Sequence, residues 1–115
     1  MTDEVRALVD GRNFAYVAST RGDRSPDVVP VWITSVGDRI AFFTQTTSSK
    51  YRNLERDPRV AISIGDDQNP YRAANLRGRV VEWRTDPGIW DEVIDPMAVE
   101  YTGERFPFRP ETTVL

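Results

Sequence analysis

Cysteine and histidine are both absent from this 115-residue chain. Without thiols there are no disulfides, no thiolate metal sites and no thiol nucleophile. Without imidazole the commonest general base and the commonest transition-metal ligand are missing. A Ser-His-Asp triad cannot be assembled. No apolar run approaches the roughly 18 residues that a membrane helix requires. The N-terminal Met-Thr-Asp-Glu is acidic and lacks the basic and apolar regions of a secretory signal, so a cytoplasmic location is expected. The formal net charge of −3 argues against nucleic acid as a partner.

What remains is a soluble, globular composition, 39% hydrophobic and 29% charged, of a length that suits a single domain over residues 1–115. The charges are segregated. Cations gather at Lys50, Arg52, Arg56 and Arg59 and again at Arg72, Arg77 and Arg79, whereas acids dominate from Asp86 to Glu100.

Along the chain, Thr2 is placed to cap a short helix with Asp3 and Glu4 in its first turn, Val5, Leu8 and Val9 at helical spacing, and Gly11 as a stop. Residues 14–19, 28–33 and 40–44 read as three strands of an antiparallel meander, with Pro30 marking an edge or a bulge. A hydroxyl cluster, Thr46 to Ser49, precedes a short helix over 50–56 that Asp57-Pro58 ends. Val60, Ile62 and Ile64 alternate with small residues as in a strand. Residues 65–70 read as a polar loop and 75–83 as a further strand, with Gly78 at a bend or close approach. Asp86-Pro87 opens a helix that Asp95-Pro96 interrupts, and a second short helix ends at Gly103. Residues 106–110 read as extended, and 111–115 as the start of a last strand. So many antiparallel strands in so short a chain usually close into a small barrel. Its interior is filled by side chains, which sends a ligand to an outside groove or to a subunit interface.

The stretch richest in chemistry is Thr44 to Leu54. It sets hydroxyls and unpaired backbone N–H groups at a helix start, with Lys50 and Arg52 in the first turn. A helix N-terminus attracts anions. Cations there cost about 0.3–1 kcal/mol each, whereas hydrogen bonds to a charged group contribute about 1.5–3 kcal/mol each. A bound phosphate outweighs the penalty. The same residues also fit a solvated basic helix face. Arg56 and Arg59 read as solvated or as paired with Glu55 and Asp57. Trp32, Trp83 and Trp90 read as core or interface residues, Trp32 alone being placed to serve a ligand as well. Asp66-Asp67 reads as solvated rather than metal-binding. Tyr16, Tyr51 and Tyr101 read as hydroxyls that satisfy backbone carbonyls rather than as proton donors.

Five segments occur in order: Arg12-Asn13-Phe14-Ala15-Tyr16-Val17-Ala18, Val29-Pro30-Val31-Trp32, Ser49-Lys50-Tyr51-Arg52-Asn53-Leu54, Arg56-Asp57-Pro58-Arg59-Val60-Ala61 and Asn69-Pro70-Tyr71-Arg72. Together they resemble the pyridoxamine 5'-phosphate oxidase-like proteins, in particular the branch that uses the deazaflavin coenzyme F-420. The resemblance covers roughly residues 5 to 105, and Lys-x-Arg-Asn-Leu followed by Arg-Asp-Pro-Arg is its most specific part. It implies a mainly β, six-stranded antiparallel split β-barrel with a few short helices, working as a homodimer with the cofactor in a groove between subunits. Lys50, Arg52 and Asn53 match the positions that hold the cofactor's phosphate, with Thr44 and Ser48 assisting. Val31 and Trp32 match positions beside the ring system. Tyr71 and Arg72 match a loop that reaches the cofactor from the second subunit.

The implied activity is hydride transfer between F-420 and a small conjugated organic substrate, with no protein residue required as a base. FMN, which also carries a phosphate, is the alternative cofactor, for a flavin reductase or oxidase. A non-catalytic carrier and a barrel that has lost its ligand are further alternatives. Relatives finish on a longer closing strand after the Phe106 to Arg109 region than a chain stopping at Leu115 holds, so barrel closure or the dimer edge is expected to differ.

Overall fold

The computed structural model describes residues 1–105 and the backbone of Thr113–Val114. Helix α1 (Asp3–Val9) forms as its cap signature requires. The Thr2 hydroxyl accepts the Val5 N–H at 3.2 Å, and Asp3 and Glu4 occupy the first turn. Strands β1 (Ala15–Thr20), β2 (Pro26–Val31), β6 (Arg59–Asp66) and β7 (Asn69–Arg79) form one antiparallel sheet in the order β2-β1-β6-β7. Pro30 lies on β2, an edge of that sheet, where its missing N–H costs no ladder bond.

The meander differs from expectation. The third strand expected at 40–44 is divided. Strands β3 (Thr34–Val36) and β4 (Arg39–Ala41) form their own hairpin around Gly37, whose φ of +62° suits glycine. Strand β5 (Thr44–Gln45) pairs with β8 (Thr113–Val114) near the C-terminus. The expected loop at 65–70 is instead a tight turn at residues 67–68, and β7 begins at Asn69. Asn13 fixes this hairpin. Its amide oxygen accepts the Asp67 N–H at 2.9 Å and its amide nitrogen donates to the Leu8 carbonyl at 3.0 Å. Gly78 is not at a close approach, since a Cβ there would meet nothing within 4 Å.

Helix α2 (Ser49–Arg56) crosses β1, and Asp57-Pro58 returns the chain to β6. Pro96 does not break the last helix as expected. A π-helical turn (Trp90–Ile94) leads directly into α3 (Asp95–Thr102), with the Asp95 N–H donating to Trp90 O across the wider turn. That widening accommodates a proline ring which would otherwise strike the preceding turn. Gly103, at φ +84°, ends α3. Residues 106–110, expected to be extended, lie outside the described residues, and of the last strand expected at 111–115 the described part is β8.

Two apolar clusters hold the parts together. Leu8 and Val9 of α1 cover the inner face of the sheet: Ala15, Val17, Ile62 and Ile64, with Val31 and Ile33. Ile89, Val93, Ile94 and Met97 pack with Trp32, Phe43 and Tyr101. Each fully buried aliphatic side chain contributes about 1.5–3 kcal/mol. The result is the expected mainly β split-barrel fold with a few short helices. Among the described residues β7 and β4 are both edge strands. A groove of about 1030 Å³ runs between them, lined by Ile40, Phe42, Leu76, Val81 and Trp83 among others.

Candidate functional site

The first turn of α2 gathers most of the side chains that the sequence singled out. Ser48 is its cap, with its hydroxyl accepting the Tyr51 N–H at 3.1 Å. The Thr44 hydroxyl, at the end of the β-hairpin region, lies 2.7 Å from the Ser48 hydroxyl. The pair shares one proton in that bond and has a second to offer. The N–H groups of Ser49 and Lys50 lie ahead of the first intrahelical hydrogen bond, from Arg52 N–H to Ser48 O, and have no partner among the described residues.

The Lys50 ammonium sits 5.6 Å from the centre of the Phe42 ring and is half-buried. Burial pushes its pKa below the ordinary lysine value of 10.5. No carboxylate stands within ion-pair distance of it among the described residues, and no acid occupies the first turn of α2. Arg52 is exposed and likewise has no carboxylate partner among the described residues. Neighbouring cations behave differently. Arg59 grips Asp57 at 2.7 and 3.0 Å and holds that carboxyl down to about 2, as the pairing expectation required. Arg56 donates to the Asn53 amide oxygen and packs against Gly22.

Asn53 does not join the anion-facing group. Its side chain is buried beneath the helix, donating to the Ser19 hydroxyl at 3.2 Å and accepting from Arg56. It fixes α2 to β1, and its amide is turned away from the first-turn amides. Its place along the helix accounts for this. Asn53 and Leu54 fall on the inward face, one turn beyond Lys50, which shares that face but stands at the open start of the helix, whereas Arg52 is on the exposed side.

Beside this turn lie two consecutive aromatics with different surroundings. Phe42 lies under Lys50 and lines the groove, while Phe43 meets Trp32 edge-on at 6.1 Å. Trp32 stacks on Tyr101 at 5.3 Å, with 13° between the planes. The Tyr101 hydroxyl donates to Asn13 O at 2.6 Å, the carbonyl-satisfying role expected of it, and burial pushes its pKa up. Val31 is buried in the core, so its side chain supports the site from behind. Tyr51 of α2 meets Trp83 edge-on at 4.7 Å. Phe42, the stacking of Tyr101 on Trp32 and the Tyr51–Trp83 contact escaped the sequence reading. The Phe42-Phe43 doublet just ahead of Thr44 is the signal that pointed to the first of them.

Tyr71 and Arg72 are not brought to α2 within one chain. They lie on β7 at the hairpin end rather than on a loop. Tyr71 is 97% exposed, and Arg72 reaches Asp66 at 3.7 Å. Arg72 also lines a polar hollow of about 160 Å³ with Arg12, Asn13, Asp66 and Asp67. Among the described residues no cluster of three metal-ligating side chains occurs. None of the helices there is long and apolar enough to cross a membrane.

Residues 1–114 match the family model described as pyridoxamine 5'-phosphate oxidase. A solved structure named as an F-420 reductase is 28% identical, covering 95% of this chain and 86% of its own, with a TM-score of 0.82. A conserved hypothetical protein from Mycobacterium tuberculosis is 23% identical, with coverage of 99% and 77% and a TM-score of 0.74. General stress protein 26 from Bacillus anthracis is 14% identical, with coverage of 97% and 82% and a TM-score of 0.72. The last two are similar to this chain in fold alone. No curated protein matches it.

Proposed function

Because the chain belongs to the pyridoxamine 5'-phosphate oxidase family, we propose that it is an oxidoreductase that uses coenzyme F-420 to reduce a small conjugated organic acceptor. The observation that carries this reading is the first turn of α2. Unpaired amides, a hydroxyl pair and two cations without carboxylate partners among the described residues converge there, beside a run of aromatic rings. That donor set fits a phosphate. It offers N–H and O–H donors with positive charge and places no acid in the turn.

In this reading Lys50, the Ser49 and Lys50 amides and the Thr44–Ser48 hydroxyls bind the phosphate, and Arg52 adds charge from the rim. Asn53 keeps α2 seated on β1. Trp32 flanks the ring system, with Tyr101 setting its plane and the buried Val31 supporting that strand from behind. When bound, the deazaflavin supplies the hydride. The protein contributes position, charge and exclusion of water, so the absence of His and Cys is no obstacle. The proton is delivered by solvent or by a neighbouring hydroxyl. Tyr71 and Arg72 belong to the site only in a homodimer, where a second copy brings its hairpin to α2.

FMN is the second reading, because the family binds that flavin and it presents the same phosphate. Fluorescence titration of F-420 and FMN side by side, followed by turnover of the reduced winner against quinone, enone and bilin-type acceptors, tests both. Tight F-420 binding with hydride transfer is the expected result. Binding without turnover would mean a carrier, and no binding of either cofactor would overturn the proposal.

A further inference from the structure

The inward face of the β1–β2 pair changes character at one end. Its inward positions are Ala15, Val17 and Ser19 on β1, and Asp27, Val29 and Val31 on β2. The apolar stripe therefore ends in a polar pair, Ser19 and Asp27, directly opposite one another in the ladder. Ser19 is 7% exposed, and the Asp27 side chain 17%. A carboxylate turned inward from an edge strand gives up much of its water and needs hydrogen-bond donors in exchange.

Helix α2 brings one of those donors. The Asn53 amide nitrogen donates to the Ser19 hydroxyl at 3.2 Å and reaches the Asp27 carboxylate at 3.5 Å, so one amide spans both strands. Its oxygen accepts from Arg56 at 3.2 Å, and Arg21 donates to the other Asp27 oxygen at 3.2 Å. Leu54 is buried beside Asn53. Apolar contact is non-directional and lets a short helix turn or slide, whereas hydrogen bonds fix direction. Lys50 lies one turn before Asn53 on the same face of this eight-residue helix. A rotation of α2 about its seat carries the Lys50 ammonium away from Phe42.

We propose that Ser19 and Asp27 are positioning residues for the anion site: through Asn53 they set the rotation and depth of α2, and so the place of the Lys50 ammonium. The inference deepens, and rests on, the reading of the first turn of α2 as the cofactor's phosphate site. Charge and position predict opposite signs here. Removing the negative Asp27 through its charge alone would strengthen an anion and hold the Lys50 pKa lower still. Removing it as a seat weakens the anion and lets Lys50 swing toward water.

Lys50 is the only lysine in the chain, so a lysine-specific NMR label gives one signal for it in the free protein. Burial holds its pKa below the ordinary 10.5. In Asp27→Ala that titration midpoint is expected to rise toward the ordinary value, and F-420 affinity to fall about tenfold. Asp27→Asn restores an acceptor without the charge and is expected to return both to the wild-type level. Ser19→Ala, neutral and nearly isosteric, is expected to move both in the same direction as Asp27→Ala, and it carries the test should Asp27→Ala not fold. A midpoint that stays or falls in these alanine variants overturns the proposal. So does an affinity that stays or rises, or Asp27→Asn behaving as Asp27→Ala. A wild-type chain that binds neither F-420 nor FMN defeats the cofactor reading by itself. The Lys50 midpoint in the free protein then still decides whether Ser19 and Asp27 place that side chain.

Discussion

Helices α1 and α2 begin in nearly the same way and carry opposite charge. Thr2 and Ser48 are both extended caps, with φ, ψ of −72°, 163° and −80°, 153°. Each hydroxyl accepts the third N–H beyond it, at 3.2 and 3.1 Å. The following turn holds Asp3 and Glu4 in α1, and Lys50 and Arg52 in α2. Identical caps with opposite charges separate two uses of one device. In α1 the acids complement the positive helix end and stabilise the fold. In α2 the cations oppose it, and in the proposed reading a bound anion supplies the counter-charge.

The strongest way to break this comparison is to empty the α2 turn of charge. Lys50→Ala combined with Arg52→Ala removes two charged partners of the anion, each contributing about 1.5–3 kcal/mol. Cofactor affinity is expected to fall by a factor on the order of 100 or more, with Lys50→Ala accounting for the larger share because Arg52 is exposed. The thermal transition is expected to stay or rise slightly, since two unfavourable charge–dipole contacts go with them. Titration of each single variant and the double variant measures this, and unchanged affinity in the double variant would sink the site.

Charge exchange sharpens the contrast. Ser49→Asp gives α2 the acidic first turn of α1. It is expected to stabilise the free protein by about 0.3–1 kcal/mol and to weaken cofactor binding roughly tenfold. Asp3→Lys in α1 is expected to cost a similar amount of stability and leave affinity untouched. Thermal melts with and without cofactor separate the two effects. Equal responses at both helices would remove the distinction.

Local features of this comparison were legible in the sequence, and distant ones were not. The caps, the Gly103 stop, the strand alternation at Val60–Ile64 and the edge placement of Pro30 depend on near neighbours, and the fold keeps them. The division of residues 34–45 among three short strands depends on partners elsewhere in the chain, including Thr113–Val114, which no local pattern announces. Residues 65–70 are polar and carry Pro70, so they read as a loop. Asn13, 54 positions away from Asp67, closes them into a tight hairpin. Asn53 matched a phosphate-binding motif, yet its place on the inward helix face turned it to Ser19. Motif position tells which residues recur, whereas distance from the open helix start separates Lys50 from Asn53, one turn deeper on the same face.

The smallest expected effect is in pH, and it concerns Lys50 alone. Burial lowers its pKa in the folded protein below 10.5, so the folded state favours the neutral amine. Charged Lys50 therefore costs the free protein stability at neutral pH. That cost is relieved as pH rises through the lowered folded pKa, with no further gain above the unfolded value. An anion favours the ammonium and pulls the other way. Cofactor affinity is thus expected to decline as pH rises, beginning below the ordinary lysine range, while the stability of the free protein gains slightly over the same interval. Lys50→Arg stays charged throughout and is expected to abolish that alkaline decline. Titrations across the alkaline range for both proteins decide the matter. A decline of equal size and midpoint in Lys50→Arg would assign the effect to another group and remove Lys50 from the anion's contacts.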